Sequence, residues 1–447
     1  MSRRSLSPHL FAVACVLTVS ACSGRQSPPA TEVTYNCAAN AGEIIELQSQ
    51  IPAFEDSSGI TLTLQPFTGQ EKLFAMMAAG QAPDIFYTNT VIRDRLAAEG
   101  RLLDLRRPGK GDRFLTRLWP DVLEGGVAVD SGLYSIGNWT FTAGVYYNRD
   151  LFDEAGISYP DTSWTWEDLI AAARKLTRRE GGDRYGIFIG SHFVELLEQM
   201  NGAPLPRGAL LLSLPDESIE AYRAYVRLME EGLMPDLRRI QALGMQSLQL
   251  LQSKKVAMLV EAVPHQALFE SLDLRWGVAP LPRFGNKPVR YFRSGSGGLS
   301  ISKQTQHPGA AWQSLKWIIA GAAVYQPNPV LNDVDFVGGW ERRYPRLAGS
   351  GFREVWHWSL DHTAGDPRLF VRFSSWSSST ILERLQPLLD RVWARSMSAE
   401  GLSSAVPDIN AAVRSELERT LRRRDIGEGF ARDIQRQLEI LNRGPHY

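Results

Sequence analysis

Apolar positions along the chain recur with two periods, near two and near 3.6, and the period changes many times. Residues 31–36 read as a first strand. In residues 43–54, Ile44, Leu47, Ile51 and Phe54 fall on one helical face, and Ser58-Gly59 ends that element. Residues 61–64 alternate polar and apolar, the pattern of a half-buried strand. Residues 71–79 follow as a helix closed by Gly80, and Pro83-Asp84 leads into a strand at Ile85-Phe86-Tyr87. The β-branched and aromatic run 144–148 (GVYYN) is a strand, and the short helix around 151–155 stops at Gly156. Thr165 and Asp168 have the spacing of a capping box, with Trp164 and Leu169 at the two positions of a hydrophobic staple. The helix behind them carries Leu169, Ala173 and Leu176 on one stripe and is expected to end at Gly181-Gly182, before a strand at 185–189. Beyond it the pattern predicts helices over 218–231 (Ile219, Tyr222, Val226, Met229 inward) and 244–253, a strand over 254–260, and a helix over 308–321. Two amphipathic helices are expected within 411–442. Strands alternating with helices over 447 residues predict an α/β protein with more than one core.

Several of these segments carry motifs as well as periods. YYNRDLFDEAGI (146–157), TWEDLIAAARKLT (165–177) and RYGI (184–187) together resemble the family 1 extracellular solute-binding proteins of ABC importers, the group with maltose- and glycerol-phosphate-binding members. KLFAMMAAGQAPDIFY (72–87), GRLLDL (100–105), WGVAPLP (276–282) and SGSGGLSI (294–301) extend the resemblance over most of residues 31–325. Three positions depart from the family's pattern, one of them His265, where many relatives place an aromatic. Gly137-Asn138-Trp139 replaces the Gly-Leu-Pro usual after Tyr134, and Lys254 stands where a glycine precedes the "A-M" strand.

The resemblance implies a two-lobed, periplasmic-binding-protein type II-like α/β fold with a hinge and a ligand cleft between the lobes. Residues 32–142 plus 293–337 would form lobe 1, and residues 143–292 plus 338–447 lobe 2. It implies ligand contacts from Tyr87 and Asn89 after the "A-P-D" strand, and from Asn138, Trp139 and Phe141 before the GVYYN crossover. Glu261 and His265 would follow the "A-M" strand, and Ser296 and Gly297 would offer backbone N–H groups from the glycine segment. Trp340, placed in a loop after Gly338-Gly339, and Trp376 would supply further aromatic faces. Each has a plain alternative: core packing for Tyr87, a structural cap for Glu261, solvent for His265, a turn for Ser296 and Gly297. No cofactor is implied. The partners would be a small carbohydrate-type ligand and the transmembrane subunits of an ABC permease, with the receptor a monomer and ATP hydrolysis on a separate subunit.

The N-terminus bears on the compartment. Arg3 and Arg4 precede an apolar stretch over 10–19 that is too short to span a bilayer, and Val19-Ser20-Ala21-Cys22 resembles a bacterial lipobox. That resemblance implies a signal peptide over 1–21, lipidation of Cys22 and a proline-rich tether over 22–31, leaving the protein extracytoplasmic and membrane-anchored; the alternative is an ordinary signal peptide cleaved nearby. Cys15 would leave with the signal, and Cys37 would remain as a buried free thiol.

Composition removes other classes. The 49 basic and 49 acidic residues balance, so no global field favours nucleic acid. No Walker A loop, G-x-G-x-x-G or G-x-S-x-G elbow is present, and the seven histidines never fall at i, i+4. His357 and His362, flanking Trp358, read as surface or core histidines. Nothing selects a carboxylate pair for glycoside hydrolysis. Twelve tryptophans, several expected at strand ends or in loops, suit the C–H faces of sugar rings; Trp164, Trp166, Trp312 and Trp317 are assigned to helix packing. The expected function is a sugar or oligosaccharide receptor and not an enzyme. The alternatives are the same scaffold for a glycerol phosphodiester or other polyol, with Arg293 as phosphate partner, and a lipid-anchored glycosidase.

Overall fold

The computed structural model describes residues 31–38, 41–128, 131–179, 184–203, 210–263, 273–287, 297–321, 328–362, 377–423, 426 and 428–442. The chain runs β1 (Thr31–Cys37), α1 (Ala41–Ser58), β2 (Ile60–Pro66), α2 (Gln70–Ala78), β3 (Ile85–Thr88), α3 (Thr90–Ala98) and α4 (Pro120–Gly126). It continues β4 (Thr142–Asn148), α5 (Arg149–Ala155), α6 (Trp166–Leu176), β5 (Tyr185–Ile189), α7 (Val194–Met200), α8 (Asp216–Glu230), α9 (Leu237–Leu243), α10 (Ser247–Gln252), β6 (Val256–Val263) and β7 (Trp276–Ala279). Then come β8 (Gly298–Ile301), α11 (Pro308–Gly321), α12 (Phe336–Arg343), α13 (Phe352–His362), α14 (Ser378–Trp393), α15 (Val406–Leu421) and α16 (Glu428–Asn442).

Two four-stranded sheets organise two lobes. The first has strand order β2-β1-β3-β8, with β8 antiparallel to β3; the second has order β5-β6-β4-β7. In the first lobe Val33, Tyr35 and Cys37 face α1 and α11, where Phe54 stacks on Trp317 with ring centroids 4.6 Å apart. Phe86 points to the other face, against Leu73 and Met77 of α2 and Ile92 and Leu96 of α3. Cys37 is buried. In the second lobe all seven residues of β4 are buried, because α6 and α8 cover one face of the sheet and α12 and α13 the other. The capping box forms in both directions: the Asp168 N–H donates to Thr165 Oγ1 (3.1 Å) and the Thr165 N–H to Asp168 Oδ2 (3.0 Å). Gly156 closes α5 at φ 62°.

Three expectations are corrected. The helix at 166 ends at Leu176, not at Gly181-Gly182, which lie outside the described residues. The Thr177 hydroxyl donates to the Ala173 carbonyl and accepts the Gly186 N–H, which turns the chain early. The helix expected over 244–253 starts later, at Ser247: Gly244, at φ 60°, closes the separate helix α9 before it, and Gln246 and Gln249 cap α10 reciprocally. Trp340 lies in helix α12 and not in a loop. The Asp335 Oδ1 accepts the Gly338 N–H at 2.9 Å, and a Cβ on Gly338 would meet Asp335 Oδ2 at 2.1 Å, so the glycine that read as a loop signal makes room for the cap. That N–H holds the Asp335 carboxyl below its ordinary value, so the cap stays charged at neutral pH and is lost as pH falls through the lowered value. As expected, several tryptophans lie at a strand end (Trp276) or outside helices and strands (Trp119, Trp139 and Trp164), and Trp166, Trp312 and Trp317 pack in helices.

Lys254 has the left-handed backbone expected of the glycine it replaces, at φ 55°. A non-glycine residue there costs about 1–2 kcal/mol. Lys254→Gly is therefore expected to raise the unfolding free energy by about 1 kcal/mol, net of the entropy glycine loses on folding. An unchanged or lower urea midpoint would count against strain at this turn.

Candidate functional site

The site is built where the two sheets hand the chain to one another. β3 ends at Thr88, and β8 begins directly opposite, with Thr88 paired to Gly298 and Tyr87 to Leu299. On its other side Leu299 pairs with Ile136 at the start of the first crossover. The start of β8 is thus held between β3 and the crossover, at a spacing only glycines permit. A Cβ on Gly297 (φ 151°) would lie 2.3 Å from the Thr88 carbonyl oxygen and 2.6 Å from the Tyr87 hydroxyl, and one on Gly298 would lie 2.4 Å from the Ile136 carbonyl oxygen. Tyr87, Gly297 and the crossover leading to Asn138 are therefore brought together.

Asn89 follows β3 and caps α3, its Oδ1 accepting the Ile92 N–H at 2.9 Å; the side-chain amide remains as its second polar group. Asn138 is half-buried, and its carbonyl accepts from Asn328 Nδ2 at 3.0 Å. Asn328, only 1% exposed, also donates to the Ile319 carbonyl (2.8 Å) and accepts the Val330 N–H (3.0 Å). This side chain ties the first crossover to the end of α11 and to the segment that returns to the second lobe. Trp139 is half-buried and packs on Trp340, ring centroids 5.6 Å apart and tilted 47°. Phe141 packs against the larger second-lobe core. The crossover thus ties its backbone at Asn138 to the first lobe and rests its aromatic residues Trp139 and Phe141 on the second.

Other candidates stand elsewhere. Trp340 is a core residue, 1% exposed, so a ligand cannot reach its face directly. Glu261 lies inside β6 and not beyond it, paired with Gly144; its Oε2 accepts from the Ser247 hydroxyl (2.9 Å) and its Oε1 from the Ala262 N–H (3.0 Å). His265, Ser296 and Trp376 lie outside the described residues, as do Arg293 and Cys22. Sequence reasoning missed two polar side chains. Buried Thr140, between Trp139 and Phe141, has a hydroxyl with no partner among the described residues, and buried Asn36, at the end of β1, has an Oδ1 in the same condition. An orphaned buried polar atom costs free energy, but both atoms are buried, and Thr140, 1% exposed, is as far from direct ligand contact as Trp340. The signal for Asn36 was a polar residue closing an apolar strand. Among the described residues no cluster of His, Cys, Asp and Glu could hold a metal ion, and no helix is long and apolar enough to cross a membrane.

Two α/β lobes joined by crossovers, with polar and aromatic residues at the junction, define a solute receptor of the two-lobed binding-protein class. The profile described as "Bacterial extracellular solute-binding protein" matches residues 41–323, and the chain belongs to that family. The chain is similar to a binding protein of Brucella abortus (strain 2308), 26% identical over 219 residues that make up 47% of this chain and 50% of that one. It spans about half the length of the curated relatives it matches. Among solved structures, an ABC substrate-binding protein from Listeria monocytogenes in complex with cycloalternan shares the fold at TM-score 0.70 and 20% identity, covering 85% of this chain and 98% of that one. An ABC transporter solute-binding protein from Agrobacterium radiobacter K84 in complex with ribitol does so at TM-score 0.63 and 17% identity, covering 85% and 98%.

Proposed function

We propose that this chain is an extracytoplasmic receptor that captures a sugar or oligosaccharide between residues 32–142 plus 293–337 on one side and 143–292 plus 338–447 on the other. It then delivers the ligand to an ABC-type permease. The observation that carries the reading is the crossover at 138–141, whose main-chain carbonyl at Asn138 is held by first-lobe Asn328 while the half-buried Trp139 ring packs on the second lobe. An amide for hydroxyls and an aromatic face for C–H groups is the pairing a sugar ring needs. A ligand touching both would gain contacts only when the lobes approach, and this differential affinity drives hinge closure. The receptor works as a lipid-anchored monomer, held by acyl chains on Cys22, and returns its ligand chemically unchanged. Ribitol in a fold relative favours keeping an acyclic polyol as the second ligand class.

The test is a thermal-shift screen against mono- and oligosaccharides, acyclic polyols and glycerol phosphodiesters. A ligand at 100 times its Kd adds about 2.7 kcal/mol of stability, which appears as a raised melting temperature. The expected result is a shift with a carbohydrate that is lost in Trp139→Ala. A shift with phosphodiesters alone would replace the sugar reading, and silence across the panel would sink it.

A further inference from the structure

We infer that the C-terminal helix α16 is a brace laid across both lobes, and that its Phe430 anchor sets the lobe angle of the empty receptor. From the proposed function this takes only that the lobes must rotate; the contacts themselves are independent of any ligand.

The preceding helix, α15, belongs to the second lobe, where Ile409, Val413 and Leu417 join its core. The chain then crosses to the first lobe. The Arg423 guanidinium lies 3.4 Å from the Glu99 carboxylate at the C-terminal end of α3, and Ile426 packs against buried clusters of both lobes. Phe430 is 3% exposed and sits within the first-lobe cluster that includes Leu73, Met77, Leu96 and Ala97. Ile434, one turn later, is 1% exposed and sits in the second-lobe core, with Leu438 beside it. Residues four apart share a helix face, so a single face of α16 lies over the seam and inserts one side chain on each side of it.

The place of attachment matters. α3 is capped by Asn89, beside the strand-end edge that forms the candidate site, and runs away from it to its C-cap Glu99. At about 1.5 Å per residue, the Glu99 end lies roughly 15 Å from that edge. The brace therefore acts at a distance from the crossovers at 137–142 and 328–336. Lobe rotation must either withdraw Phe430 from its first-lobe pocket or pull Ile434 from the second. Packed contacts of this kind have discrete arrangements, so they hold the conformation in which they are made. A receptor whose competent conformation is only fractionally populated binds more weakly by that fraction, so the brace also tunes affinity.

The test measures the lobe angle directly. In the full chain with Cys15, Cys22 and Cys37 replaced by serine, nitroxides are attached through Ile45→Cys on α1 and Leu382→Cys on α14, positions 67% and 50% exposed on opposite lobes. Without ligand, the parent should give one narrow distance distribution. Phe430→Ala should broaden it at least twofold or add a second peak, Ile434→Ala should do the same from the other end, and Phe430→Leu should restore most of the narrow component. Distributions for Phe430→Ala and Ile434→Ala that superimpose on the parent's would overturn the brace, as would a parent that is already broad. If Phe430→Ala does not fold, as judged by circular dichroism, the Ile434→Ala and Phe430→Leu distributions decide alone: widening in the first with retention in the second supports the brace, and no widening in the first overturns it. Carbohydrate is absent throughout, so failure of the sugar assignment leaves this result untouched.

Discussion

Trp340→Ala is expected to lower the unfolding free energy by about 3–5 kcal/mol, the range for emptying a large aromatic site in a packed core. Trp340 is among the largest fully buried side chains of the protein. Its ring lies 5.4 Å from Phe336, 5.3 Å from Tyr344 and 5.6 Å from Trp139. Removing it leaves a cavity bounded by other rings that cannot rotate to fill it without leaving their own contacts. Urea denaturation read by far-UV circular dichroism measures the effect. A tryptophan that met ligand at an open surface would change the midpoint little, so a parent-like midpoint would return Trp340 to the list of direct contacts. The same variant should weaken ligand binding indirectly, because Trp139 would lose the ring it leans on.

Gly297→Ala is expected to cost about 3 kcal/mol, combining a backbone conformation that L-residues avoid with overpacking. The new methyl would sit 2.3 Å from the Thr88 carbonyl oxygen and 2.6 Å from the Tyr87 hydroxyl. The first is backbone of a buried strand and cannot yield; the second is the end of a rigid ring. Relief comes only if β8 moves away from β3, which also shifts the crossover that pairs with Leu299. Stability and any thermal shift with ligand should therefore fall together in this variant. In Trp139→Ala the ligand shift should fall with a much smaller loss of stability. A Gly297→Ala protein as stable as the parent would mean that the close approach is not a constraint.

The parts of the fold that could be read from the chain are those whose cause is local. Thr165 and Asp168 lie three residues apart and cap each other; Gly156 closes a helix because its backbone needs no neighbour to permit φ 62°. Where one glycine can serve two local roles, sequence pattern misleads. Gly338-Gly339 looks like a loop although Asp335, three residues before, needs the space, and Gly244 looks like a helix start although its conformation closes the helix before it. The site depends instead on distant partners. Tyr87 and Gly297 are 210 residues apart, and no period connects them; only the resemblance of their motifs to a family suggested one place. The packing of Trp340 was hidden because an aromatic beside glycines reads alike whether it meets ligand or core. Phe430 and Ile434 stand on one stripe of an amphipathic helix, and periodicity names the stripe without naming the two bodies beneath it.

The late arrival of β8 has a consequence for how the polypeptide matures. The second sheet draws its strands from one unbroken stretch, 142–279, and pairs without outside help, although helices from beyond residue 336 must still cover it. The first sheet must wait. Its three parallel strands are complete by Thr88, but the edge of β3 stays bare until Gly298–Ile301 has been made, and the Thr88–Ser300 hydroxyl contact closes a loop of 212 residues. Until then a growing chain presents an unsatisfied strand edge beside buried-type residues such as Ile85 and Phe86, a surface on which other chains can pair. A ribosome that stalls before residue 298 would release a product that is aggregation-prone as well as incomplete. The last four-residue strand is therefore also what makes the first lobe safe in a crowded compartment.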